Sequence, residues 1–191
     1  MLALEFVSTV RATRSGLVDA LSDLPGMTGW GRAHAAELGL GPDFTAADDL
    51  RREVVELRQA ARALFARAVA PGPPSAADAD RLPDFAASLD LVNAAALAVP
   101  SAPRLEWPED GSPFAVNVPA GGTDESSRVR AALASAVISL LAGPERERLR
   151  TCPAPRCVLY FIKEHGRQEW CSVGCGNRAR AARHYRQHRA G

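Results

Sequence analysis

All four cysteines of this 191-residue chain fall within twenty-four residues, as Cys152-x4-Cys157 and, after a thirteen-residue span, Cys171-x3-Cys175. Thiolates are preferred ligands of Zn2+ in closed tetrahedral sites, and two closely spaced pairs joined by a loop bring four of them to one point with little chain strain. Two disulfides, an iron–sulfur cluster or free buried thiols are the competing readings, and a reducing compartment disfavours the first. The spacing predicts a single structural zinc held by Cys152, Cys157, Cys171 and Cys175. Four protein thiolates leave no position open for a substrate, so the metal is expected to contribute folding energy to a segment too small to fold alone.

The residues around these ligands predict the elements that carry them. Val158-Leu-Tyr-Phe-Ile162 is β-branched and aromatic, and Gln168-Glu-Trp170 leads back into Cys171, with His165-Gly166 available for a turn. That pattern predicts a β-hairpin between the two cysteine pairs. From Arg178 to Arg189 there is no acid and no helix breaker, so a helix is expected to follow Cys175 and to hold that ligand in its first turn. Knuckle, hairpin and helix together describe a treble-clef type of finger.

On a helical wheel Ala181, Ala182 and Tyr185 share one face, while Arg180, Arg183, His184 and Arg186 lie opposite or flanking and are the candidate contacts to phosphates or base edges. Arg178 falls nearer the apolar face, where it would brace the finger, and Asn177 would act as a cap or as support for a ligand. Charge is divided to match. Residues 145–191 carry 11 Arg and Lys against 4 Glu, whereas residues 1–144 carry 12 against 18, although the whole chain is near neutral at +1. A basic tail on an acidic body suggests a polyanionic partner. A merely solvated basic helix is the plainer reading.

The remaining 144 residues read as a mainly helical body with a short hairpin, making the fold class α+β over two units, 1–144 and 145–191. Thr45 with Asp48 predicts a capped helix whose apolar positions run from Leu50 to Ala68, until Pro71-Gly-Pro-Pro stops it. Ser75-Ala-Ala-Asp78 repeats that start signal for a helix running toward Val99, with Pro83 marking a break or a late start and Leu82, Phe85, Leu89, Val92 and Leu97 as its apolar positions. Arg104–Trp107 and Phe114–Val118 alternate as two strands about Glu109-Asp-Gly-Ser. A last body helix is expected from Asp124 to Leu141, closed by Gly143-Pro144. Leu4, Phe6 and Val7 are ambiguous between strand and helix, and a short helix should run from Trp30 to Gly39 or Gly41.

Composition, 47% hydrophobic and 24% charged, is that of a soluble globular protein. No run approaches membrane-spanning length, and the first residues lack a basic leader before an apolar stretch, so a cytoplasmic protein with no membrane partner is expected. The body contains no phosphate loop, no HExxH, no Gly-x-Ser-x-Gly and no paired carboxylates on one helix face, so enzymatic activity is not expected. Thr9, Arg14, Trp30, Arg62 and Trp107 are the polar and aromatic candidates for a ligand pocket. For each, core packing or surface ion pairing is the simpler role.

The string Trp170-Cys-Ser-x-x-Cys-Gly-Asn-Arg178, preceded by Cys152-x4-Cys157, resembles the CGNR zinc-finger family of bacterial proteins. The body resembles the ABATE-type domain through a strand-like motif at Leu4-Glu-Phe-Val-Ser-Thr9, Trp30 with Gly39-Leu40, and Leu57-Arg-x-Ala-x-Arg62. It departs from that pattern at Glu5, at Ser8 and at the tip Lys163–Arg167. The resemblance implies a stress-induced transcriptional regulator whose finger binds DNA and whose body senses a small-molecule ligand or dimerises. A homodimer reading two half-sites would complete a single small finger. A protein–protein interaction module without sequence-specific DNA binding is the alternative.

Overall fold

The structure, a computed structural model, describes residues 1–13, 15–78, 81–119 and 121–189. The body opens with α1 (Leu2–Val7), a small antiparallel hairpin of β1 (Val10–Ala12) and β2 (Leu17–Asp19), and two short helices, α2 (Leu24–Ala33) and α3 (Ala35–Leu38). Three long helices, α4 (Asp48–Ala68), α5 (Phe85–Leu97) and α6 (Glu125–Ala142), pack together, and the β3 (Ser101–Glu106) and β4 (Phe114–Pro119) hairpin is inserted between the last two. A 3-10 turn (Pro144–Arg148) then leads into β5 (Leu149–Thr151), β6 (Tyr160–Ile162) and α7 (Val173–Arg189).

The expected long helices form, but several of their signals act differently. Thr45 does not cap α4: its hydroxyl donates to the Asp43 carbonyl, and Asp48 and Asp49 instead place negative charge on the first turn. Ser75-Ala-Ala-Asp78 is a turn, closed by the Asp78 amide donating to the Ser75 carbonyl at 2.8 Å. The following helix starts late, at Phe85, because the Asp84 carboxylate accepts from the amides of Ala86 and Ala87. Its buried stripe is Ser88, Val92 and Ala95, so Phe85, Leu89 and Leu97 face outward, contrary to the expected stripe. The Leu4–Thr9 segment, strand-like by resemblance, is mostly helix and buries Phe6 and Val7 against α4 and α6. Gly39, at φ 64°, ends α3 in the left-handed conformation.

One core runs from body to finger. Phe6, Val54, Phe65, Val92, Leu133 and Val137 from the helices pack in the same cluster as Leu149 and Tyr160 of β5 and β6. The finger adds a second, smaller cluster around Cys152, Ala154, Cys157, Phe161 and Cys175.

Two arginines of α4 lie inside, each only 1% exposed. Arg58 forms a fork with Asp19, Nη1 to Oδ1 at 2.5 Å and Nη2 to Oδ2 at 2.6 Å, and also donates to Thr9 Oγ1. Arg62 donates through Nε and Nη2 to the two Asp78 oxygens, at 2.6 and 3.1 Å, and through Nη1 to the Val7 carbonyl. The same guanidinium reaches Ser75 Oγ and the Val158 carbonyl of the finger, and the Tyr160 hydroxyl donates to Asp78 Oδ2 at 2.7 Å. Ser75 Oγ donates to the Val158 carbonyl, and Thr151 Oγ1 to the Pro73 carbonyl. Burial, and then the charge of Asp78, push the Tyr160 hydroxyl above its ordinary range, so it remains a donor. Body and finger thus share a buried, bidentate ion pair with most of its hydrogen-bonding capacity used.

Removing one member of such a pair strands the other without a counter-charge. Asp78→Asn should lower the unfolding free energy of the zinc-loaded protein by about 3–5 kcal/mol in urea denaturation. A loss below about 1 kcal/mol, typical of an exposed pair, would contradict that role. At Asp19 burial opposes ionisation, but the Arg58 guanidinium, the Leu21 amide and Arg51 outweigh it and hold the carboxyl below its ordinary range. A depressed carboxyl contributes stability at neutral pH that is lost as pH falls through about 4 and below. Asp19→Asn should flatten the acid limb of a plot of stability against pH.

Candidate metal centre and basic helix

Each ligand pair is built by a local turn. The Cys157 amide donates to the Ala154 carbonyl at 2.9 Å, which closes the first knuckle, and Arg156 turns the chain at φ 61°. The Cys152 amide donates to the Leu159 carbonyl at 3.0 Å and continues the β5–β6 pairing, in which Thr151 faces Tyr160 and Leu149 faces Ile162. The finger's hairpin therefore joins β6 to β5, on the far side of the first knuckle, and does not pair Val158–Ile162 with Gln168–Trp170 as expected. The physical reason is burial: Leu149 and Tyr160 face the body core, while the Gln168 side chain closes its own loop by accepting from the Glu164 amide and donating to the Trp170 carbonyl. Cys175 lies in the first turn of α7, where its amide donates to Ser172 Oγ.

The four sulfurs lie within 4.8 Å of one another. Cys157 Sγ is 3.7 Å from Cys171 Sγ, which is 3.4 Å from Cys175 Sγ. A tetrahedron of thiolates about 2.3 Å from zinc has edges of roughly 3.8 Å, so the spacing suits one such ion. All four cysteines are free, which removes the disulfide reading. Without a cation the sulfurs compete for charge. The neighbouring thiols of Cys157 and Cys171 draw Cys152 down to about 2, while Cys152 pushes Cys157 up to about 11 and Cys171 further still. A divalent ion relieves that competition and allows all four to ionise. The chain holds one structural zinc.

Arg178 Nη2 donates to Cys175 Sγ at 2.9 Å, placing a guanidinium on a centre that carries excess negative charge when metal-loaded. Asn177, expected as a cap or as support for a ligand, accepts at Oδ1 from Arg180 Nη2 at 2.6 Å. The Arg180 guanidinium also lies 5.8 Å from the centroid of the Trp170 ring, which closes on the helix where a Cβ at Gly176 would meet it at 3.1 Å. Arg183, His184 and Arg186 are exposed; Arg186 Nε donates to the Ala182 carbonyl, and His184 approaches His188 at 3.1 Å between Nε2 atoms. Tyr185, expected on an apolar face, is 71% exposed. Residues 183–188 are exposed, while Ala181, Ala182 and Tyr185 line a cleft with Ala12, Thr13, Pro155 and Arg156. The sequence assigned no contact to Arg156, and it named Trp170 and Ser172 only within the motif, without the packing of Trp170 on Gly176 or the Ser172 hydroxyl that accepts from Cys175.

The proposed pocket residues are not brought together. Thr9 and Arg62 are consumed by the buried networks, Trp30 packs on Phe6 and His34, and Trp107 is 69% exposed beside the β3–β4 hairpin. Arg14 lies outside the described residues. A cleft of about 740 Å3 instead opens between body and finger, lined by Leu4 and Arg11 on one side and by Phe161, Ile162, Gln168 and Arg178 on the other. A second group, Glu5, His34 and Glu37, brings its polar atoms together, with His34 Nδ1 within 3.3 Å of both carboxylates. The Met1 amino group pairs with Glu5 at 2.9 Å, so charge pairing between α1 and α3 accounts for it. Among the described residues no helix is long and apolar enough to cross a membrane.

Cys171→Ser should reduce zinc content from one equivalent to well below one, measured by metal analysis of the dialysed protein. Arg178→Met should keep the metal but release it faster to a chelator, by about 10-fold, a common cost of losing a supporting contact. Unchanged release would assign Arg178 elsewhere.

Two comparisons bear on this architecture. Residues 1–144 match the ABATE family, described as "Putative stress-induced transcription regulator", and residues 148–188 match the CGNR zinc finger. No curated protein matches the chain.

Proposed function

The chain belongs to the ABATE family and carries a CGNR zinc finger, and from that premise we propose that it is a cytoplasmic, non-catalytic, DNA-binding transcription regulator. The observation that carries the proposal is the form of α7: it is rooted at the metal by Cys175 and Arg178, leaves residues 183–188 exposed, and bears Arg180, Arg183, His184 and Arg186 with no acidic residue. Arginine supplies most of the affinity of such a surface through phosphate contacts, which also fix its orientation on the duplex. Asn177 and Trp170 hold Arg180 in one place before binding, so less side-chain freedom is lost on contact. Zinc is structural in this scheme. The body contributes ligand sensing at the cleft against the finger, where an occupant would touch Arg178 and the β6 strand together, and it joins two copies so that two fingers read two half-sites.

Binding to short mixed duplexes across a salt series tests the reading. The wild-type affinity should fall linearly in log–log form with salt, and Arg180→Ala with Arg183→Ala should weaken binding and reduce the slope by about 2, with zinc content unchanged. Absence of binding at low salt would remove DNA as the partner and favour protein–protein interaction through the finger.

A further inference from the structure

The β3–β4 hairpin is anomalous in a protein with a shared core. Its strands are six residues each and fully paired, from Ser101 opposite Pro119 to Glu106 opposite Phe114, yet none of residues 101–119 is buried. A two-stranded ribbon so little covered, with only Glu106, Val116 and Val118 of one face half-buried, is marginal in water. One face, by alternation, carries Pro103, Leu105, Ala115 and Asn117 and continues to Trp107, with no charged side chain. The other face carries the Arg104–Glu106 ion pair among Ala102, Val116, Val118 and Phe114, and there Val116 and Val118 are half-buried. Leu105 is 65% exposed and Trp107 69%, and Leu97, four residues before the hairpin, is also exposed. Large apolar side chains left in water on one uncharged face mark an interaction surface.

We propose that this face is where two copies of the chain meet, hairpin on hairpin, about a two-fold axis. The inference rests on the homodimer in the function proposed above and gives it a location. Three features select a second copy. The face is uncharged, so two identical faces close without burying like charges, as an isologous contact requires. Its surroundings are acidic, one Arg against Glu106, Glu109 and Asp110 over residues 101–119, which repels nucleic acid and anionic lipid surfaces. Its edges are blunted: Pro103 and Pro119 have the same parity in the register, and a ladder tolerates proline where the missing donor points outward, so strand-to-strand extension is disfavoured and face packing remains. The turn Glu109-Asp-Gly-Ser and the acidic rim remain in water in this arrangement, consistent with a polar border around an apolar centre.

The full-length, zinc-loaded protein should sediment at twice its 20.3 kDa chain mass at micromolar concentration. Leu105→Ser with Trp107→Ser should sediment at the single-chain mass, with zinc content unchanged and an unfolding midpoint that, unlike the wild type's, does not depend on protein concentration. A wild-type dimer that persists in this variant would overturn the location and leave the homodimer standing elsewhere. Hydrogen exchange of the wild type over a dilution series supplies a readout that needs no variant: protection of residues 101–119 should rise with concentration. A single-chain mass throughout, with exchange there independent of concentration, would assign the face to another protein or a lipid surface and overturn the proposal. DNA binding is read separately, so its failure would not be confused with either result.

Discussion

The structure depends on how a buried guanidinium is satisfied. Arg62, 1% exposed in the middle of α4, is far too costly to leave unpaired, and the groups that satisfy it come from three distant stretches of chain: the end of α1, the Ser75–Asp78 turn, and the finger at Val158. Each must be in place for the charge to be tolerated. The ion pair therefore adds geometric specificity more than net stability, since well-packed apolar residues of the same shape would serve stability comparably. Tyr160 extends the network by donating to Asp78, and it packs edge-on against Phe65 at a centroid distance of 5.5 Å.

That constraint changes the meaning of the metal site. A forty-residue finger with its own metal is usually understood as a bead on a string, folded by zinc and indifferent to its neighbour. Here Leu149 and Tyr160 belong to the body's core, while Cys152 and Cys157 sit in the turn that connects the two strands carrying them. Zinc fixes the knuckle, the knuckle fixes β5 against β6, and those strands complete the body. Only the distal part of α7 lies outside this chain of dependence, which suits a surface that must reach a partner.

Much of this was legible in the sequence, and the failures share a cause. The cysteine spacing specified the metal ligands because ligand chemistry is local, and α4 and α6 were readable because long helical periods are local too, although only α6 is capped by the residue expected, Asp124. The finger's hairpin was assigned to the wrong partner strand because Leu149-Arg-Thr151 is too short to show a period and owes its pairing to burial against a distant helix. Arg62 and Asp78 were separately visible, one as a family motif and the other as the acid of a helix start, but nothing in a linear reading pairs residues sixteen apart across a proline-rich turn. Outward-facing Phe85 and Leu89 have the same origin, since helical periodicity says which residues share a face and not which face is covered. Ala181, Ala182 and Tyr185 do share a face, turned to the cleft beside Ala12 and Pro155, but a wheel cannot say that this contact leaves Tyr185 71% exposed.

Finger and body are joined at Arg62 into one cooperative unit, so that the state of one is felt by the other and by the basic helix that follows them. Hydrogen exchange of the zinc-loaded chain, compared with the same chain after chelation, tests it most directly. Removing zinc should raise exchange not only over 149–189 but also in the 73–78 turn, in the turn of α4 around Arg62 and at the end of α1. Exchange changes confined to 149–189, with the body's protection intact, would contradict it.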